Sequence, residues 1–202
     1  MPTAVLFDYD GTLLDSIGEV YRGVCNVFRM SGLSEPSIEV FFSTFELPYA
    51  TFYRKHGVTA PEEDIVRWYF EVARHEEQFF FFDVVDAVNI LAQCGVLMGI
   101  ISAHHEDKIV TRCEEAGIHK HMQLVVGRVN VKVDSIQKFC REYSVSPFET
   151  YYVGDLISDV RDAKRAGVIA VGITRGRGTR EVLELNGADH CISNLHELLH
   201  LL

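Results

Sequence analysis

Two aspartates separated by one residue, Asp8 and Asp10, stand directly after the apolar run Val5-Leu6-Phe7 and directly before Gly11. On a continuing strand, side chains at i and i+2 share a face; at a strand end the chain can turn so that both carboxylates enter one pocket with different tasks. Two buried negative charges are costly unless a cation offsets them, and oxygen donors suit a hard divalent ion, so the pair predicts a magnesium site. Asp and Gly are also ordinary turn residues, so the pair alone could do no more than start a turn.

Further polar residues stand at the ends of predicted strands: Ser102, Lys132, and the acidic pair Asp155 and Asp159. Together they suit phosphoryl transfer, in which an anionic nucleophile reaches a phosphate dianion only when cations neutralise its oxygens and donors hold it in line. In that reading Asp8 is the nucleophile. Asp10 protonates the leaving oxygen and later takes a proton from the water that cleaves the aspartyl phosphate. Ser102, with the amide of Ala103 at a helix start, binds phosphate oxygens. Lys132 offsets charge on nucleophile and phosphate, while Asp155 completes a metal shell that Asp159 supports. Taken singly, Ser102, Asp155 and Asp159 could be helix caps and Lys132 a solvated lysine. Their joint order argues for a site.

The elements that must position these residues follow from periodicity. From residue 81 onward apolar runs alternate with helical patterns, the signature of strand-helix units around a parallel sheet. Asp83 is placed to cap a helix with core face Val84, Val85, Val88, Leu91 and Ala92. A buried strand is expected at 96–101, a helix over 106–116 closed by Gly117, and a strand at 123–126. Asp134 is placed to cap a helix reaching about Tyr143. Then come a strand at 151–153, a helix over 157–166 closed by Gly167, a strand at 169–173, a helix near 179–185, a short strand at 190–192 and a terminal helix from Asn194.

Residues 16–80 differ, with helical spacing at Val20, Val24, Val27 and Phe28 and again at Ile65, Trp68, Tyr69 and Val72, and no obvious buried strand. They predict a helical insert that leaves the sheet domain (1–15 and 81–202) beside the C-terminal end of its first strand, where open α/β sheets bind ligands. A helical cap there could close over substrate and exclude water. The stripe Phe79-Phe80-Phe81-Phe82 is read as core or hinge packing. Arg54, Lys55 and His56 are either exposed helix charge or a group that meets a substrate anion.

A chain of 202 residues, 48% hydrophobic, suffices for one substantial core, or for one with a modest inserted domain. The net charge of −10 and pI near 5.3 argue against a nucleic-acid or anionic membrane surface. A small anionic substrate stays possible, because a metal and one lysine can reverse the local field. The five cysteines show no CxxC pair and are expected to be reduced thiols. With no basic segment before an apolar signal core and no apolar run of transmembrane length, a cytoplasmic location is the default expectation.

On these residues the chain resembles the haloacid dehalogenase superfamily, specifically its phosphatases with a helical cap after the first motif. Asp8-Tyr9-Asp10-Gly11-Thr12 is similar to the first motif, Ser102 to the second, Lys132-Val133-Asp134 to the third and Gly154-Asp155-Leu156-Ile157-Ser158-Asp159 to the fourth. The resemblance implies a Rossmann-like parallel-sheet core and an aspartyl-phosphate mechanism. Magnesium (Mg2+) would be held by the Asp8 carboxylate, the Asp10 backbone carbonyl and Asp155. Leu13-Leu14-Asp15-Ser16, Val125-Val126-Gly127-Arg128 and Ala163-Lys164-Arg165-Ala166-Gly167 narrow the likeness to phosphoglycolate phosphatase-like proteins. The chain departs from the pattern at Glu46, near the position of a cap glycine; at Ala103-His104, where an Asn often follows the second motif; and at Val133, where proline is common. A carboxylate at Glu46 near the pocket would disfavour a second anionic group on the substrate, and His104 could contact substrate or be a solvated loop residue.

The expectation is therefore hydrolysis of a small phosphorylated metabolite by a monomer or homodimer. A phosphomutase of the β-phosphoglucomutase type shares the four motifs and differs in whether water or a sugar hydroxyl accepts the phosphoryl group. A phosphonate hydrolase would need a cap lysine, and Lys55 is the only one in the insert. Dehalogenation is disfavoured by the presence of Asp10. A non-catalytic phosphometabolite-binding protein would show a damaged catalytic position, and all are intact.

Overall fold

The computed structural model describes residues 3–72 and 79–202. Strand β1 (Ala4–Phe7) leads into a short β2 (Leu14–Asp15), followed by helices α1 (Ile17–Met30), α2 (Ile38–Thr44), α3 (Tyr49–Lys55) and α4 (Glu62–Val72), and then β3 (Phe79–Phe80). From α5 (Val84–Gln93) the chain alternates through β4 (Leu97–Ile101), α6 (Glu106–Glu115), β5 (Met122–Val126), α7 (Val133–Glu142) and β6 (Thr150–Gly154). It continues through α8 (Ile157–Ala166), β7 (Ile169–Ile173), α9 (Arg180–Leu185) and β8 (His190–Ile192) to a 3-10 turn at Glu197–His200.

Six strands form one parallel sheet in the order β5-β4-β1-β6-β7-β8, so β1 is central, with Phe7 beside Ile100 on one flank and Val153 on the other. The apolar run of β1 serves two cores because successive side chains point to opposite faces. Val5 and Phe7 pack with Val84, Val88 and Leu91 of α5 and Ile109 of α6, whereas Ala4 and Leu6 pack with Ile136 and Phe139 of α7 and Val160 of α8. This is the expected Rossmann-like α/β architecture, and it brings the C-terminal ends of β1, β4, β5 and β6 to one edge.

Helices α1 to α4 bury their apolar stripes in a third cluster, centred on Val24, Val27, Phe28, Phe41 and Phe52, which among the described residues the sheet domain enters only through Leu156. Close packing of α1 on α4 depends on Gly23: a Cβ there would meet the Tyr69 ring at 2.5 Å, and next to it Asn26 donates to the Trp68 carbonyl at 2.6 Å. The two connections between this helical segment and the sheet domain meet in an antiparallel ribbon, Leu14 opposite Phe80 and Asp15 opposite Phe79. That ribbon is absent from the periodicity because two-residue strands carry no period.

Several local expectations are corrected. Asp83 makes no cap hydrogen bond; it is fully buried, paired with Arg175 and accepting from the Leu195 amide at 2.6 Å. Val85 is exposed, and Ala87 takes the core position instead. Asp134 lies inside the first turn of α7, with Lys132 at the N-cap. Of the phenylalanine stripe, Phe80 and Phe81 pack on the core, while Phe79 and Phe82 are exposed. The terminal helix is reduced to the 3-10 turn.

Candidate active site

Asp8 continues β1 by one residue, its amide donating to the Val153 carbonyl at 2.8 Å, and then the chain folds back. The carbonyl of Tyr9 accepts from the amides of Leu13 and Leu14, both at 2.9 Å, which closes a tight turn around Gly11. Gly11 has φ +76°, and a Cβ there would stand 2.5 Å from Oδ2 of Asp155, so both backbone conformation and close approach require glycine. The turn separates the two aspartates. Asp8 is buried at the floor of the site, and Asp10 turns toward His104, whose Nδ1 is 3.0 Å from its Oδ2.

Lys132 reaches Asp8 from the start of α7. Its Nζ lies 2.9 Å from Oδ1 of Asp8 and 2.6 Å from Oδ1 of Asp159, with the Tyr152 ring alongside at 5.3 Å. Burial works against the charged amine, but Asp159 and Asp8 hold it protonated, well above the ordinary lysine range. The other oxygen of Asp159 accepts from the Leu156 amide at 3.0 Å. Burial raises Asp159 against the pull of Lys132, and the charges of Asp8 and Asp155 push the same way.

Ser102 ends β4, its amide donating to Val126 at 3.0 Å and its Oγ accepting from the His104 amide at 3.3 Å. Contrary to expectation, Ala103 does not stand at a helix start; α6 starts at Glu106 with His105 at its N-cap, so the Ala103 amide belongs to a loop ahead of the helix. Burial opposes ionisation of Asp10, yet the charge and hydrogen bond of His104 bring its carboxyl down to about 2, and the same pair raises His104.

Asp8, Asp155 and Asp159, all buried, offer carboxylate oxygens within 4.8 Å of one another. These are hard donors of the kind magnesium takes, so the donor chemistry fits the ion. Both the Asp10 carbonyl and Asp155 are engaged by Arg177, a residue the sequence reading missed. The backbone N–H of Arg177 donates to Oδ2 of Asp155 at 2.8 Å and Nε donates to the same oxygen at 2.9 Å. Its Nη2 reaches Oδ1 of Asp155 at 3.2 Å and the Asp10 carbonyl at 2.8 Å. One signal was available, the run Gly176-Arg177-Gly178 in the loop that follows the predicted strand at 169–173, since glycines on both sides of an arginine permit close backbone approach.

Above this floor lies a cavity of about 350 Å³ onto which Asp8, Asp10, Ser102, Ala103, His104 and Arg177 open. Its far wall comes from the helical segment, through Phe45, Leu47, Tyr49, Tyr53, Tyr69 and Phe70. Lys132, Asp155 and Asp159 lie beneath the lining rather than on it. Glu46 is not on the wall: it pairs with Arg161 of α8 at 3.2 Å, so the expected bias against a second substrate anion loses its basis. Arg54, Lys55 and His56 are also absent from the lining. Arg54 and Lys55 are exposed, and His56 packs on Phe52.

A family model described as haloacid dehalogenase-like hydrolase matches residues 5–173. The phosphoglycolate phosphatase of Escherichia coli (strain K12) is 28% identical over 138 residues, 66% of this chain and 54% of that protein, so the chain spans about half the length of that curated relative. A candidate pyrophosphatase, PpaX of Clostridium perfringens, is 24% identical over 209 residues, 100% of this chain and 97% of that protein. Two solved structures share the fold. A haloacid dehalogenase-like family hydrolase from Streptococcus pneumoniae has TM-score 0.81 at 20% identity, covering 99% of this chain and 98% of that one. A hydrolase from Pseudomonas syringae has TM-score 0.82 at 18% identity, covering 98% and 96%.

Proposed function

The chain belongs to the haloacid dehalogenase-like hydrolase family, and from that premise we propose that it is a magnesium-dependent phosphatase of small phosphomonoesters acting through an aspartyl phosphate. The observation that carries this reading is the position of Asp8, at the end of the central strand, 2.9 Å from a buried lysine and within 4.8 Å of Asp155 and Asp159. A carboxylate so placed can meet a phosphate dianion because fixed positive charge stands behind it.

In this mechanism a carboxylate oxygen of Asp8 attacks phosphorus as the bond to the leaving oxygen breaks, and the leaving oxygen takes a proton that His104, 3.0 Å from Asp10, passes through the Asp10 carboxylate and regains in the second half of the cycle. Water then attacks the aspartyl phosphate, Asp10 takes a proton from it, and Asp8 and inorganic phosphate are regenerated. The ionised state in which His104 holds Asp10 supports the second, basic role. Ser102 and the Ala103 amide bind phosphate oxygens. Asp8, Asp155 and the Asp10 carbonyl would hold magnesium, with Asp159 as support, and the ion would neutralise phosphate charge.

Residues 16–80 act as the cap and residues 1–15 and 81–202 as the core; the separate apolar cluster of α1 to α4 and the ribbon of β2 and β3 at the crossing support that division. Residues 73–78 of the cap lie outside the described residues. The aromatic wall favours a leaving group with an apolar face over a small acid. A cytoplasmic place for the enzyme is part of this proposal; among the described residues no helix is long and apolar enough to cross a membrane.

The test is a panel of phosphorylated metabolites, including phosphoglycolate and an aryl phosphate, assayed with magnesium and with chelator, beside Asp8→Asn. Turnover that needs magnesium and vanishes in the variant is expected. Turnover that survives the substitution, or ignores the chelator, rejects the mechanism.

A further inference from the structure

Arg177 takes the oxygens that a metal on Asp155 would need. Both carboxylate oxygens of Asp155 and the carbonyl of Asp10 receive hydrogen bonds from one guanidinium, which is 5% exposed. The planar fork matches this spacing, and its charge is permanent. The Asp155 and Asp10 oxygens cannot serve a dication and this fork together, because the two positive charges would then be a few ångströms apart in a site out of water. The backbone around Arg177 has little freedom to relieve the conflict. A Cβ at Gly176 would stand 2.2 Å from Oδ2 of Asp155, and one at Gly178 would stand 2.5 Å from the Asp155 carbonyl. The side chain is the part that can leave, and the cavity it borders gives it room.

The helical segment closes over this arginine. The ring centroid of Phe45 lies 5.4 Å from Cζ of Arg177, and Phe45 is itself buried against Phe41 and Phe52, each with ring centroids 5.1 Å away. The ring face is a favourable neighbour for a guanidinium, and it covers the side on which Arg177 meets the cap.

We propose that Arg177 is an internal cation that magnesium must displace from Asp155 and from the Asp10 carbonyl, and that Phe45 of the helical segment holds it there. Metal affinity is then set by a residue that is not itself a ligand, and metal entry is coupled to movement of the cap at Phe45. This inference rests on the magnesium reading above.

The experiment titrates MgCl2 by calorimetry into chelator-treated full-length wild type, Arg177→Gln, Arg177→Lys and Phe45→Leu, with circular dichroism to verify folding. Arg177→Gln should bind magnesium at least tenfold tighter. Arg177→Lys keeps the charge but loses the fork, and should also tighten. Phe45→Leu should tighten about threefold, with every side-chain ligand intact. In wild type, the Nε–H resonance of Arg177 should move on magnesium saturation. Equal affinity in all four proteins overturns the proposal while leaving the magnesium reading standing, and so does tightening in Arg177→Gln with Arg177→Lys unchanged, which would mean distant charge alone. Absence of binding in every protein overturns both. If the variants fail to fold, an unmoved Arg177 signal in magnesium-saturated wild type is enough to reject displacement.

Discussion

Nζ of Lys132 stands 2.9 Å from Oδ1 of Asp8, with both side chains removed from water. It also bonds Asp159, so removing its charge would leave the buried carboxylates of Asp8 and Asp159 facing one another. Lys132→Met should therefore lower stability by about 3–5 kcal/mol, the cost of breaking a buried pair from one side, read in urea denaturation. Turnover should fall at least ~10²-fold, as for loss of a preorganised group that stabilises transition-state charge. A variant as stable as wild type would show that Asp8 and Asp159 do not depend on this amine.

The His104–Asp10 pair has a pH signature. Asp10 is held at about 2, below its ordinary 3.8, so its contribution is present above 3.8 and is lost as pH falls toward 2. His104 is raised above 6.5, so its contribution is complete below 6.5 and is lost as pH rises through the folded value. Both are present between about pH 4 and 6.5. His104→Asn should cost on the order of 2 kcal/mol in that window, and the gap should narrow at higher pH. Urea melts at pH 5.5 and 8.5 in chelator provide the comparison; an equal gap at both values would contradict the pairing.

Two glycine-to-alanine changes should have opposite signs. At Gly176 the new methyl would lie 2.2 Å from Oδ2 of Asp155, forcing the loop or the carboxylate to shift, with a loss of about 1–3 kcal/mol. At Gly18, in the first turn of α1, the nearest atom is a flexible Arg22 nitrogen at 3.5 Å, and alanine should stabilise by up to about 1 kcal/mol through helix propensity. Thermal melts of the two variants decide the comparison.

Asp83 ties the start of α5 to both Arg175 and the Leu195 amide, with no exposure to water. Asp83→Ala leaves the largely buried Arg175 charge without its carboxylate, with only the Thr12 carbonyl still accepting from it, and leaves the Leu195 amide without its acceptor, so a loss of about 3–5 kcal/mol is expected in chemical denaturation. A loss below 1 kcal/mol would return Asp83 to the modest role of a cap.

Much of the molecule is legible without coordinates because the relevant forces are local. Helix α8 closed by the left-handed Gly167, and strands β7 and β8, follow from apolar period and local stop signals at each element. The residues around the Asp8 floor, Ser102, Lys132, Asp155 and Asp159, are marked by their place at strand ends, and a parallel sheet gathers strand ends at one edge. What periodicity cannot reveal is which distant side chain meets which. Asp83 has a helix-start position yet is claimed by Arg175, and Glu46 has a pocket position in sequence yet turns to Arg161. Arg177 reaches Asp10 only because β6 lies between β1 and β7, which lays the loop after β7 across Asp155. Sequence by itself determined the elements and the acidic and basic groups they carry. The strand order and the layering of the helices decided their pairings, because ion pairs in a buried site depend on distances of a few ångströms between residues as many as 167 positions apart.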